Sequence, residues 1–237
     1  MINAHFYRKS MKIGERLLDN NVDQSSQVQG DTTPMRKMPN QQRSRERVEK
    51  ILNCAVELIA QSGSDAMRMN EVARLAGISI GSLYQYFPDK SAIIQTLAER
   101  YNALGRDCIK TGLAHVRTAN ELCVAFGALV DEYYEMFLAE PVMRDIWSGT
   151  QADKALREIE LANSRDNGGV LAEVLTRLRH GSPKVSEDEL AASALLVMHL
   201  GEATVRLAIS VERVEGEQFI NSYKEMAQTE LRRIVSP

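Results

Sequence analysis

Ser79-Ile80-Gly81-Ser82-Leu83-Tyr84-Gln85-Tyr86-Phe87-Pro88-Asp89-Lys90 is an aromatic-rich stretch with a Ser at its head and a Pro-Asp stop at its end. A Ser hydroxyl there accepts one of the orphan N–H groups of a helix's first turn, so a short helix starting after Ser79 is predicted. Just upstream, Val72, Ala73, Leu75 and Ala76 recur at helical spacing from Asn70 to Ala76. Between the two segments stands Gly77, which can take the positive φ that a sharp corner requires. Two short helices at a steep angle follow, with Ala73 allowing close approach and Ile78, Leu83 and Phe87 sealing the wedge between them. That leaves Ile80, Gly81, Ser82, Tyr84, Gln85 and Tyr86 exposed.

This is the pattern of a helix-turn-helix, whose second helix enters the DNA major groove by its N-terminal residues. A platform precedes it: Val48, Ile51, Leu52, Ala55, Leu58 and Ile59 form one apolar stripe that ends before Gly63. The formal charge of −3 suits a DNA binder only once it is apportioned along the chain. Residues 1–90 carry 13 Lys/Arg against 10 Asp/Glu, whereas 91–237 carry 16 against 22. The basic excess gathers at Arg36, Lys37, Arg43, Arg45 and Arg47, where phosphates need cations.

The run Val72-Ala73-Arg74-Leu75-Ala76-Gly77-Ile78-Ser79, continued by Gly81-Ser82-Leu83-Tyr84-Gln85-Tyr86-Phe87-Pro88-Asp89-Lys90, resembles the signature of the TetR-type (tetracycline-repressor-like) transcriptional regulators. The close resemblance covers about Arg45 to Tyr101. It departs at Arg68, where the family often has a capping Thr or Ser; Asn70 as the cap, or a frayed first turn, are the two ways around this. The resemblance implies an all-α protein with an N-terminal three-helix helix-turn-helix domain, followed by a helical ligand-binding and dimerisation domain. It also implies a homodimer on a palindromic double-stranded DNA operator, most simply a repressor released by a small molecule, although an activator would look the same.

The expected DNA-binding residues are Arg45, Arg47, Ser79, Ile80, Gly81, Ser82, Tyr84, Gln85, Tyr86 and Lys90. Ser82 can bond phosphate or either base type, Ile80 suits a thymine methyl, and Gly81 permits close approach to the groove. Tyr84 and Tyr86 are two apart on a helix and cannot share a face; in the family both matching positions commonly touch DNA. Lys90, Arg45 and Arg47 are expected at phosphates.

Residues 1–42, rich in Asn, Gln, Ser, Asp and Thr, read as a disordered extension, 43–90 as the DNA-binding domain, and 91–237 as the effector-binding and dimerisation domain. Asp89 is placed to cap a fourth helix through Ala92, Ile93, Leu97 and Tyr101 toward about Leu104, the element that would couple the two domains. Helix breaks are expected near His115 to Asn120, Glu140-Pro141, Gly149, Gly168-Gly169, Gly181 to Pro183 and Glu215-Gly216. Between them, Asn120 to Ala139 is apolar over a wide arc and predicts a central helix.

Tyr133, Tyr134, Phe137, Met143 and Trp147 are the candidate effector-binding residues, large and adaptable side chains suited to an apolar or planar ligand, although any helical core contains such residues. Ser186 and Glu189 form a capping box. The stripe Leu190, Ala194, Val197, Met198, Gly201, Val205 and Ala208, with the final helix of Phe219, Tyr223, Met226, Leu231 and Ile234, is assigned to dimerisation, with Leu190, Val197, Gly201 and Val205 at a self-complementary interface. His199, Glu202 and Arg206 interrupt this apolar helix and read as a buried network.

Three dispersed cysteines, Cys54, Cys108 and Cys123, indicate neither a disulfide framework nor a zinc site and fit a reducing cytoplasm. A thiol sensor acting through them is the alternative regulator. A helical enzyme is the other alternative, but no catalytic motif appears and His5, His115, His180 and His199 are scattered, so no catalytic residue, metal or cofactor is assigned. No apolar run of the ~20 residues that span a bilayer is expected, and no membrane partner.

Overall fold

The computed structural model describes residues 38–149, 153–179 and 185–235. Among them are nine helices and no strand: α1 (Met38–Ser62), α2 (Met69–Ala76), α3 (Ile80–Tyr84), α4 (Lys90–Leu113), α5 (Ala119–Ala139), α6 (Pro141–Gly149), α7 (Lys154–Leu178), α8 (Glu187–Ala208) and α9 (Arg213–Val235). The all-α class expected from periodicity is what the chain adopts. The helices divide into two compact units, one up to Ile93 and one from Ile94.

In the first unit the α1 stripe of Ile51, Leu52, Ala55 and Ile59 is buried together with Val72, Ala73 and Ala76 of α2, Leu83 of α3, and Phe87. The helix starts earlier than expected: residues 38–42, read as tail, belong to α1. Pro39 in the first turn removes no helical hydrogen bond, and the Gln and Arg residues after it are good helix formers. The remaining extension, with Arg36 and Lys37, lies outside the described residues.

Neither way around Arg68 holds. It stands at the N-cap of α2 with extended backbone and no side-chain cap, while Asn70 is already inside the helix. Met67, just before the cap, and Val72, four residues into α2, are both buried, an arrangement that fixes the entry of the chain as a hydrophobic staple does. At the other end Gly77 has φ 66° and ψ 35°. Its N–H bonds the Arg74 carbonyl at 3.2 Å and the Ile78 N–H bonds that of Ala73 at 3.0 Å, so the last carbonyls of α2 are satisfied by a Schellman turn.

In the second unit α5 packs on α6, α8 and α9, and α7 on α8 and α9. Three breaks read from glycines are not breaks. Helix α4 does not end near Leu104 but passes Gly105 and runs to Leu113. Helix α7 is continuous through Gly168-Gly169, because Gly168 serves proximity: a Cβ there would lie 2.9 Å from the Leu195 Cα of α8. Gly216 lies inside the first turns of α9, where a Cβ would meet the Ala208 carbonyl oxygen and the Tyr134 hydroxyl at 2.5 Å; the turn falls before Arg213 instead. The Gly181 to Pro183 break lies outside the described residues.

The expected interface stripe on α8 also needs correction. Leu190, Val197 and Val205 are buried within the single chain, and Gly201 packs on Tyr223 of α9, whose hydroxyl would lie 2.9 Å from a Cβ there. That hydroxyl donates to the Val197 carbonyl, so this face belongs to the α8–α9 pair. The exposed apolar residues are Leu196, Leu200 and Leu207 on α8, with Val214 and Met226 on α9. Contrary to expectation, α8 is by length and composition apolar enough to cross a membrane, the one such helix among the described residues.

Candidate nucleic-acid interface and effector site

Ser79 stands at the N-cap of α3 in extended backbone, and the Ser82 N–H donates to its Oγ at 3.1 Å. The helix is only five residues long, so the cap and the buried Leu83 hold most of it in place. Against that anchor Ile80 is 42% and Tyr84 51% exposed, and Gly81 and Gln85 are exposed as well. A Cβ at Gly81 would meet nothing within 4 Å, so its glycine answers no internal need. Ser82 and Tyr86 are half-buried. The two tyrosines part as their spacing requires, Tyr84 outward and Tyr86 against the unit.

Arg45 and Arg47 are exposed on α1. Lys90 has work inside the unit: its ammonium donates to the Ser64 carbonyl at 3.1 Å and the Asp65 carbonyl at 3.0 Å, tying the start of α4 to the α1–α2 turn. An ammonium has three donors, so one remains for a phosphate. Asp89 caps α4 as expected, accepting from the Ala92 N–H at 2.8 Å.

The candidate effector residues do not form one group. Tyr133 and Phe137, one turn apart on α5, meet edge-on with centroids 4.9 Å apart, and Phe137 meets Trp147 of α6 at 5.7 Å and 86°. Met143 is buried on the same short helix as Trp147. Tyr134 instead faces the first turns of α9 beside Gly216, and its buried hydroxyl has no hydrogen-bond partner among the described residues.

A polar cluster adjoins this aromatic wall. On α7, Glu160, Asn163, Ser164 and Asn167 share one face and are all buried. Opposite, on α8, stand His199, Glu202 and Arg206. Glu202 accepts from Asn163 Nδ2 at 2.9 Å, Ser164 Oγ at 2.7 Å and Asn167 Nδ2 at 3.4 Å. His199 Nδ1 lies 3.0 Å from Ser164 Oγ, and Arg206 donates to Glu160. Burial pushes the Glu202 carboxyl up to about 7, with Glu160 adding to the effect and the Ser164 and Asn167 bonds and Arg206 opposing it. Burial likewise raises the Tyr133 phenol, and Glu202 adds to that, so the aromatic wall and the polar cluster share one field.

His199, Glu202 and Arg206 were legible as polar interruptions of an apolar helix. The α7 side carries its polar residues at i, i+3, i+4 and i+7, a spacing that a reading of apolar stripes passes over.

Glu160, His199 and Glu202 place one ligand atom each within 4.8 Å of one another, the one group of this kind among the described residues. Beside Arg206, an open groove of about 770 Å³ runs between α6 and the end of α8, with Arg144, Asp145 and Arg206 in its wall. The cysteines are not activated: burial and neighbouring carboxylates push Cys108 up to about 11, and burial raises Cys54 and Cys123.

Two family models match the chain. One, described as bacterial regulatory proteins of the tetR family, covers residues 51–97, and one, described as the tetracyclin repressor-like C-terminal domain, covers 121–235. The chain is 26% identical over 185 residues to the nucleoid occlusion factor SlmA of Haemophilus ducreyi, spanning 76% of this chain and 89% of that protein. It is 35% identical over 63 residues to the transcriptional repressor KstR of Mycolicibacterium smegmatis, 27% of this chain and 28% of that one. Among solved structures, a TetR-family regulator from Streptomyces coelicolor superposes with a TM-score of 0.60 at 23% identity, covering 79% of this chain and 99% of its own. The repressor AlkX from Dietzia does so at 0.58 and 16%, covering 80% and 97%. At these identities the structural likeness speaks for the fold alone.

Proposed function

Because the chain belongs to the tetR family of bacterial regulatory proteins and is a DNA-binding transcriptional regulator, we propose that it is a homodimeric repressor that leaves a palindromic operator when a small molecule binds its C-terminal unit. The observation that carries the DNA half is α3, a five-residue helix capped by Ser79 and pinned by Leu83 that still exposes Ile80 and Tyr84. A major groove gives these exposed side chains thymine methyls and phosphates to meet. Arg45, Arg47, Ser79, Gly81, Ser82, Gln85, Tyr86 and the free donor of Lys90 complete the proposed surface.

The second copy is proposed to sit on the exposed leucines of α8, Leu196, Leu200 and Leu207, with Met226 of α9. Covering that face accounts for a helix otherwise too apolar for its exposure. Two reading helices then meet half-sites ~34 Å apart, and ligand binding shifts the population toward a state in which that spacing is lost. Helix α4, which starts in the first unit and continues into the second, is the covalent route for the shift. The protein acts in the cytoplasm. Raised thiol pKa values give the thiol-sensor reading no support.

The test is selection of random duplex DNA by the full chain, followed by sedimentation of the complex. An enriched palindrome carrying two copies of the chain per duplex is expected. Failure to enrich any sequence would overturn the reading.

A further inference from the structure

We infer that the buried polar cluster between α7 and α8 receives the head of a small organic cation, a protonated amine whose apolar body lies along Tyr133, Phe137 and Trp147. The inference rests on the effector reading above and names the ligand class of that site.

The cluster has more acceptors than it can satisfy. Asn163 and Asn167 are only 7% and 4% exposed, and each gives an amide N–H to Glu202. Their oxygens have no partner among the described residues. Flipping either amide would point oxygen at the carboxylate, so a flip does not relieve the orphans. Buried unpaired acceptors are costly, and a group that donates to them recovers that cost.

Charge points the same way. Two carboxylates, Glu160 and Glu202, face one permanent cation, Arg206, which is already held by Glu160. Neutrality in so buried a place needs either a proton taken up within the cluster, which also holds the His199 imidazole, or a cation from outside. An ammonium supplies both missing features: N–H donors for the two amide oxygens and positive charge beside Glu202. An anion or an acceptor-only ligand supplies neither.

A divalent metal fits less well. Three ligand atoms within 4.8 Å of one another would have to contract to the roughly 3.4 Å separation set by zinc–ligand distances of about 2.1 Å. Glu160 would also have to give up Arg206. The apolar body of an amine would have to pack against the edge-stacked rings reaching from α5 to α6, of which Phe137 and Trp147 are buried. Arg206, reaching Glu160 from the wall of the open groove, marks the way in.

The probes are 2-phenylethylamine, its uncharged counterpart 2-phenylethanol, the anion 3-phenylpropionate, and zinc. Binding to the full-length protein is read by calorimetry and by the emission of Trp147, the chain's one tryptophan. The amine is expected to bind and the anion not to. Glu202→Gln should weaken the amine by at least about tenfold, as loss of a charged hydrogen bond does, while circular dichroism stays unchanged. Asn167→Leu, which removes an orphan oxygen, serves if the Gln variant misfolds and should weaken the amine too. Equal or tighter binding of the anion, no response to either substitution, or zinc binding that excludes the amine would overturn the inference. DNA release is measured separately: amine bound without release defeats the effector reading and leaves the site standing, and release by another ligand class does the reverse.

Discussion

Tyr84 is exposed on α3 and Leu83 beside it is fully buried, so a single residue step separates reading from holding. Tyr84→Ala is therefore expected to abolish preference for the selected operator with little loss of helicity, measured by fluorescence anisotropy and circular dichroism. Unchanged operator affinity would remove Tyr84 from the contacts. Lys90 behaves differently, because its ammonium joins two carbonyls of the α1–α2 turn. Lys90→Ala should cost about 1–3 kcal/mol of stability in urea titrations, the range for hydrogen bonds to a charged group. It should also weaken specific and non-specific DNA alike, with a salt slope flatter by about one. Loss of DNA binding without loss of stability would show that the contacts to Ser64 and Asp65 contribute little.

At the scale of elements, glycine carries two different meanings in this chain. Gly77 bends the backbone, with its positive φ at the end of α2. Gly168 sits inside a continuous helix and lets its neighbour come close, since Leu195 backbone atoms stand where a side chain would go. Gly168→Val is expected to force α7 from α8 and lower stability by about 1–3 kcal/mol, as overpacking does, whereas Gly169→Ala, facing open space, should stabilise by up to about 1 kcal/mol through helix propensity. Thermal unfolding of the pair checks it, and equal effects would show that the close approach is not what Gly168 provides. The same two helices hold the cluster around Glu202, so the small side chain and the buried polar groups belong to one packing arrangement.

For the whole molecule, two observables follow from groups that sit on α8. The first is the dependence of stability on pH. Glu202 holds its proton more tightly folded than unfolded, to about 7, so its contribution is complete below the ordinary carboxylate range and is lost as pH rises through about 7. Between pH 5 and pH 8 the wild type should lose up to about 3 kcal/mol more than Glu202→Gln, by urea midpoints. Parallel curves would show that Glu202 is ionised throughout. The second is assembly. Leu200→Glu sets a charge on the open apolar face and should turn a dimer into a monomer on sedimentation, while Gly201→Glu, directed at Tyr223, should damage the fold instead. A dimeric Leu200→Glu protein would place the twofold contact elsewhere.

What the sequence by itself determined is local. Ser79, Gly77, Asp89 and Ser186 mark helix ends through bonds that span three or four residues, and the apolar stripes set helical class and the buried faces of α1 to α3. The residue pattern from Val72 to Lys90 carried the family for the same reason, since the helices of this unit pack on their neighbours in sequence, α1 on α2 and α2 on α3. Only the tertiary structure decided what depends on residues far apart. Glu160 and Arg206 meet across 46 positions and Asn163 and Glu202 across 39, which no periodicity reports. It also decided which side of α8 is covered, because an amphipathic stripe shows that a face is buried and not by which chain, and it sent Tyr134 away from Tyr133, since neighbours on a helix point about 100° apart and different partners wait on each side.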